Sequence, residues 1–136
     1  IQRDNASLII AADTVVLCQG QILGKPEDAA QAREMLTLLS GSIHEVITSV
    51  CLKNHQGFYD VQSEITTVYF RNLTKTEIMG YIATGEPFDK AGGYGIQGKG
   101  SILVNRIEGC FFNVVGLPLG RLYDMLKKQG VEVLGV

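Results

Sequence analysis

The chain has 136 residues, one domain's worth, and its 46% hydrophobic and 19% charged residues exclude a disordered chain and supply ample material for a core. Twelve Lys and Arg against fourteen Asp and Glu give a net charge of -2 with no basic stripe, which argues against nucleic-acid polymers and anionic membranes as partners. The longest apolar runs fall far short of the roughly 20 residues a membrane span needs.

Leu8 to Ala12 is apolar without alternation, which predicts a strand covered on both faces, and the polar pair Asp13 and Thr14 interrupts it. Val15 to Leu17 then turns at Gln19 and Gly20 into Gln21 to Leu23, a candidate hairpin. From Pro26 to Leu39, Ala29, Ala32, Leu36 and Leu39 recur at helical spacing, with Gly41 just beyond. Ile43 to Lys53 and Phe58 to Arg71 are rich in β-branched and aromatic residues, so two antiparallel strands are expected around a loop at Asn54 to Gly57. Thr74 and Glu77 have capping-box spacing, flanked by a Leu73 and Ile78 staple, and predict a helix from Lys75 to about Thr84 closed by Gly85. Beyond a glycine-rich stretch, strands are expected at Ile102 to Ile107 and at Phe111 to Val115, and a last helix at Pro118 to Gln129. This order predicts one α/β domain over residues 1–136 with a mixed sheet.

Chemistry concentrates in a few places. Asp13 and Thr14 leave a buried run at a strand end, where they either face a ligand crevice or cap a turn. Lys25, between Gly24 and Pro26, stands at a helix mouth, either as a phosphate contact or as an ordinary exposed lysine. The chain has 16 glycines, crowded between Gly85 and Gly120, and among those from Gly85 to Gly100 stand Glu86, Asp89, Lys90 and Gln97. Glycine at that density beside charged groups points to close ligand approach. Gly93, Gly95 and Gly98 match G-x-G-x-x-G, but a loop precedes them and a strand follows, the reverse of the dinucleotide fingerprint. A phosphate-binding Walker loop fails too, since Gly100 follows Lys99 and the upstream glycine spacing is missing. His44 and His55 lack metal-ligand spacing and are expected to be structural. Cys18, Cys51 and Cys110 form an odd set without C-x-x-C spacing, and with no leader at the start they suit reduced thiols in the cytoplasm. Cys110 is expected to behave as a small buried hydrophobe near the site.

Several blocks in order resemble the Maf family of nucleoside triphosphate pyrophosphatases. They are Ala12-Asp13-Thr14-Val15-Val16, Ile22-Leu23-Gly24-Lys25-Pro26, Leu39-Ser40-Gly41 with His44-Glu45-Val46-Ile47-Thr48, Gly85-Glu86-Pro87 with Asp89 to Gly98, and Asn113-Val114-Val115-Gly116-Leu117-Pro118. The resemblance implies an inosine-triphosphatase-like α/β fold with a two-lobed cleft. It implies a house-cleaning hydrolase that converts a nucleoside triphosphate to the monophosphate and pyrophosphate with Mg²⁺ or Mn²⁺, and a link to septum formation. The Asp89 to Gly98 wording is similar to the dTTP/UTP branch rather than the 7-methyl-GTP branch, which carries a Cys-Ala-Gly-Ser-type block and a glutamate near the position of Gln97. A homodimer is the family expectation, and a non-catalytic nucleotide-binding regulator of septum formation is the alternative.

By the same resemblance Asp13 is the proton acceptor and metal ligand, Thr14 and Gln97 govern substrate choice, and Lys25 and Lys90 lie near the phosphates with Asp89 beside them. An aspartate of ordinary acidity is a weak base at neutral pH, so metal assistance is expected. A glutamine amide complements the O4 and N3–H edge common to uracil and thymine. Family members begin with a strand, a Ser-x-Ser-Pro-Arg-Arg loop and an acidic segment that have no counterpart before Asp13. About 55–60 further residues would supply them, so the sequence is expected to be the C-terminal part of a longer domain, poorly active alone.

Overall fold

The computed structural model describes residues 7–135, so both ends of the expected 1–136 domain lie outside the described residues. The elements run β1 (Leu8–Cys18), β2 (Gln21–Leu23), α1 (Ala29–Leu39), β3 (Ile43–Asn54), β4 (Tyr59–Phe70), α2 (Lys75–Ala83), β5 (Val104–Glu108), α3 (Phe111–Val115) and α4 (Leu119–Lys128). The strands form a sheet in the order β2-β1-β3-β4-β5. The α/β class is as expected for the Maf fold, whereas every pairing among the described residues is antiparallel rather than mixed. The cause is topological. The α1 crossover does join two parallel strands, β2 and β3, but β1 lies between them and pairs antiparallel with both.

Local chemistry explains most boundaries. Of the two starts the sequence offers for α1, Pro26 and Asp28, it is Asp28 that caps the helix, accepting the Gln31 amide. The predicted capping box is present: Thr74 Oγ1 accepts the Glu77 amide at 3.1 Å and Glu77 Oε1 accepts the Thr74 amide at 2.8 Å. Ile78 is buried and Leu73 packs against the same cluster.

Four expectations are corrected. Leu8 to Leu17 is one strand, not two short ones, and it is not covered on both faces. Even-numbered residues of β3 and β4 such as Val46, Val50 and Val68 are buried, while Ile9, Ile43, Val61 and Ile65 on the opposite face are each more than half exposed. All the helices pack on the even face, so apolar continuity along β1 did not mean two-sided burial. The strand expected at Phe111–Val115 is the short helix α3. Its aromatic and β-branched composition suits a strand, but the buried Asn113 amide bonds across β3 and β4 and holds the segment as a turn of helix. The strand expected from Ile102 begins only at Val104, because Gly98–Leu103 winds as a 3₁₀ turn.

The core has two parts on that one face. α1, α2 and the glycine-rich segment enclose Val16, Leu36, Leu39, Val46, Val68 and Tyr94. α4 lays Leu122 and Met125 on Val50 and Leu52. Because the capping box satisfies two helix-end amides at once, Thr74→Ala should lower stability by about 1 kcal/mol, read as a drop in denaturant midpoint at unchanged slope. Full retention of the midpoint would show that α2 is held by its packing alone.

Candidate functional site

A cleft of about 280 Å³ opens beside the first part of the core, whose Val16, Val46 and Tyr94 line it. Ala12 to Thr14 of β1 form one wall, Lys25 a corner, Asp89 to Gln97 the opposite wall, and Val114 to Gly116 of α3 the far end. Thus Asp13, Thr14, Lys25, Asp89, Lys90 and Gln97, widely separated in sequence, all border the same space. Consecutive strand residues alternate faces, so the half-buried Thr14 turns to the helix side, while Asp13 is exposed, falls on the opposite face of the strand and borders the cleft from its rim. That rim is open because β2 pairs only with Val16, Leu17 and Cys18 of β1.

The glycine-rich wall is held by contacts on both sides. At its tip Tyr94 is buried, and its hydroxyl is 2.7 Å from His44 Nε2 in β3. His44, Phe70 and Tyr94 stack mutually edge to face, with Phe70 and Tyr94 centroids 4.7 Å apart. At its base Glu86 acts as a clasp: Oε1 accepts the Tyr81 hydroxyl at 2.7 Å and the Gly100 amide at 2.9 Å, and Oε2 accepts the Lys99 amide at 3.1 Å. Tyr81 in turn accepts the Gly95 amide at 3.0 Å. A Cβ on Gly100 would stand 2.0 Å from the Gly95 carbonyl oxygen, so only glycine lets the two turns approach. The Gly92 amide donates to the Gly24 carbonyl at 3.0 Å and ties the segment to the residue before Lys25. At Gly92, φ is +75° and a Cβ would meet the Val16 side chain at 2.9 Å.

Charge is paired within the wall. Lys90 Nζ lies 2.8 Å from Asp89 Oδ1 and also donates to the Glu86 carbonyl at 3.3 Å. The Lys90 bond, with its charge and that of Lys25, holds the Asp89 carboxyl below its usual range. Burial pushes the Glu86 carboxyl up, but the bonds from Tyr81, Gly100 and Lys99 outweigh it, and the net shift is downward. Burial raises both the Tyr94 and Tyr81 hydroxyls, so they stay protonated, and Tyr81 donates to Glu86.

Some roles could not be read from the residues alone. Glu86 stood among the candidate chemical groups, but the structure has both its oxygens engaged with Tyr81 and backbone amides. His44 is structural, as expected, yet it is also the anchor of the cleft wall. Cys110 is half-buried rather than fully buried, and its carbonyl accepts the Thr66 hydroxyl at 2.9 Å. Tyr94 and α3 carried no separate signal, although a single tyrosine inside a run of glycines is the pattern of an anchored loop.

Comparison with known proteins adds the lineage. A family model described as Maf-like protein matches residues 1–129. The chain is 57% identical over 128 residues to a dTTP/UTP pyrophosphatase of Syntrophomonas wolfei, covering 93% of this chain and 68% of that protein. It is equally 57% identical over 128 residues to the dTTP/UTP pyrophosphatase of Acetivibrio thermocellus, covering 93% and 64%. With that of Halalkalibacterium halodurans it shares 55% over 129 residues, covering 95% and 67%. The chain therefore spans about two thirds of these relatives' length.

Burial holds the His44 imidazole down to about 4, whereas the unfolded chain takes up that proton near pH 6.5. His44 thus contributes stability in full above pH 6.5 and loses it as pH falls toward 4, a change on the order of 3 kcal/mol. Denaturant midpoints should fall across that window, and His44→Phe should flatten the slope. An equally steep fall in that variant would assign the acid sensitivity to other groups.

Proposed function

The chain belongs to the Maf-like protein family, and on that footing we propose that it is a pyrimidine nucleoside triphosphate pyrophosphatase that converts dTTP and UTP to the monophosphate and pyrophosphate. The observation that carries this is the gathering of Asp13, Thr14, Lys25, Asp89, Lys90 and Gln97 around one cleft. The printed activity of relatives at 57% identity supports it.

In this reading the triphosphate lies toward Lys25 and Lys90, whose ammonium groups offset charge as pyrophosphate leaves. Asp13, exposed at the open rim where water has access, accepts the proton of the attacking water as the α–β anhydride is cleaved. The Asp89 ion pair keeps Lys90 from swinging out of the cleft when no phosphate is present. Thr14 and Gln97 meet the base. Among the described residues no three His, Cys, Asp or Glu side chains are gathered to cage a cation. Mg²⁺ and Mn²⁺ chemistry fits nonetheless, because Mg²⁺ commonly uses one or two carboxylates with substrate phosphates, and Asp13 would be that carboxylate. Such an ion lowers the pKa of the water and neutralises phosphate charge. The same proposal takes residues 1–136 as part of one pyrophosphatase domain. It places the protein in the cytoplasm, which suits its unpaired cysteines, as a homodimer linked to septum formation.

The test is pyrophosphate release by the whole gene product from UTP, dTTP, CTP, GTP and 7-methyl-GTP with Mg²⁺ or Mn²⁺. UTP and dTTP should be preferred, and Asp13→Asn should lower kcat roughly 10²–10⁴-fold with little change in nucleotide binding. Nucleotide binding without pyrophosphate release would favour a regulator of septum formation over an enzyme. Gln97→Glu replaces an amide donor with a carboxylate and should erode the preference for UTP and dTTP over 7-methyl-GTP. An unchanged preference would remove Gln97 from base selection.

A further inference from the structure

The Thr14 hydroxyl oxygen is 2.8 Å from that of Thr48 on β3, its direct partner across the strand pair. Thr48 is completely buried, and its hydroxyl also lies 3.3 Å from the main-chain carbonyl of Asn113 in α3. Each threonine has one hydroxyl hydrogen. A carbonyl can only accept, and the Asn113 carbonyl also takes the Gly116 amide at 3.1 Å, so the one assignment in which both Thr48 contacts are hydrogen bonds has Thr48 donating to Asn113. Any other assignment leaves one of the two buried contacts without a hydrogen. Thr48 therefore donates to Asn113, and the bond with Thr14 must run the other way, from Thr14 to Thr48.

α3 is in no position to turn away. The Asn113 side-chain amide donates to the carbonyls of Val46 and Glu64, at 3.0 and 3.1 Å, and to Thr66 Oγ1 at 3.0 Å. Thr66 in turn donates to the Cys110 carbonyl at 2.9 Å. The Thr48 and Thr66 hydrogens are thus both directed toward α3 and its N-cap, and the Thr14 hydrogen toward Thr48. With its hydrogen committed to Thr48, Thr14 keeps only lone pairs for the cleft.

We propose that Thr48, set by the Asn113 carbonyl, is a positioning residue that makes Thr14 an acceptor only, and that Thr14 thereby receives the N3–H of uracil or thymine. Cytosine has a lone pair at N3 and is rejected there, since two acceptors would face each other at the half-buried Thr14. This rests on the pyrimidine triphosphatase reading above and deepens it by assigning the group that separates UTP from CTP.

The test compares kcat/KM for UTP, CTP and N3-methyl-UTP on the whole gene product, its Thr48→Val and Thr48→Ser variants, with Kd ratios as the readout if turnover is absent. Thr48→Val keeps the shape but frees the Thr14 hydrogen, so the UTP over CTP ratio should fall about tenfold or more, while Thr48→Ser should restore it. The unmodified protein should process N3-methyl-UTP at least tenfold less well than UTP, a result independent of any variant's folding. A folded Thr48→Val protein with an unchanged ratio overturns the proposal, as does equal use of UTP and N3-methyl-UTP. Failure of the unmodified protein to bind or hydrolyse UTP or dTTP at all overturns the pyrimidine reading itself, so the two failures are told apart.

Discussion

The insertion of Tyr94 between His44 and Phe70 is the contact on which the cleft depends. A segment with glycine at 92, 93, 95, 98 and 100 has little side-chain surface of its own to bury, and on entropy alone it would wander. One aromatic ring carried into the core, edge to face against two others, converts it into part of the same packed body as α1 and the sheet. Glu86 completes the restraint from the other end by collecting a hydroxyl and two amides on one carboxylate. Lys90 and Gln97 lie between these two fixed points, and so does the ion pair with Asp89.

Polar residues divide the core where the cleft needs a floor. Thr14, Thr48 and Thr66 occupy the helix-facing side of three successive strands, at the level where α1 and the glycine-rich segment give way to α3 and α4. Valine at 48 and 66 would have removed the hydroxyls that bond the Asn113 and Cys110 carbonyls. The hydroxyls serve instead as attachment points for α3, and α3 closes the end of the cleft with Val114, Val115 and Gly116. Stability and recognition thus draw on the same buried hydrogen bonds.

The parts of the fold legible in the sequence were those whose cause is local. The Thr74 and Glu77 box, the β3–β4 hairpin and the α1 periodicity each act within a dozen residues, and each stands as expected. The Phe111–Val115 helix was misread because its cause, the Asn113 amide bonded to Val46, Glu64 and Thr66, lies 47 to 67 residues away. The one-sided burial of β1 was hidden for a similar reason: a run of apolar residues does not say on which side the helices will lie. In the cleft, the resemblance to a family named the bordering residues. It did not reveal what holds them. The roles of His44, Tyr94 and Glu86 as anchors needed coordinates, since histidine, tyrosine and glutamate in a glycine-rich context look equally like chemistry.

The seat of Gly92 against Val16, with its amide on the Gly24 carbonyl, joins the moving-looking part of the molecule to its most rigid part. A wall fastened in this way has already surrendered its conformational freedom during folding, so little remains to be lost when a small molecule arrives. Encounter is then governed by diffusion and by the pull of the two lysines on an anion, rather than by waiting for a loop to close. The glycine-rich wall is in this sense one fixed side of a docking berth, and its share of selectivity rests on the atoms it holds in place.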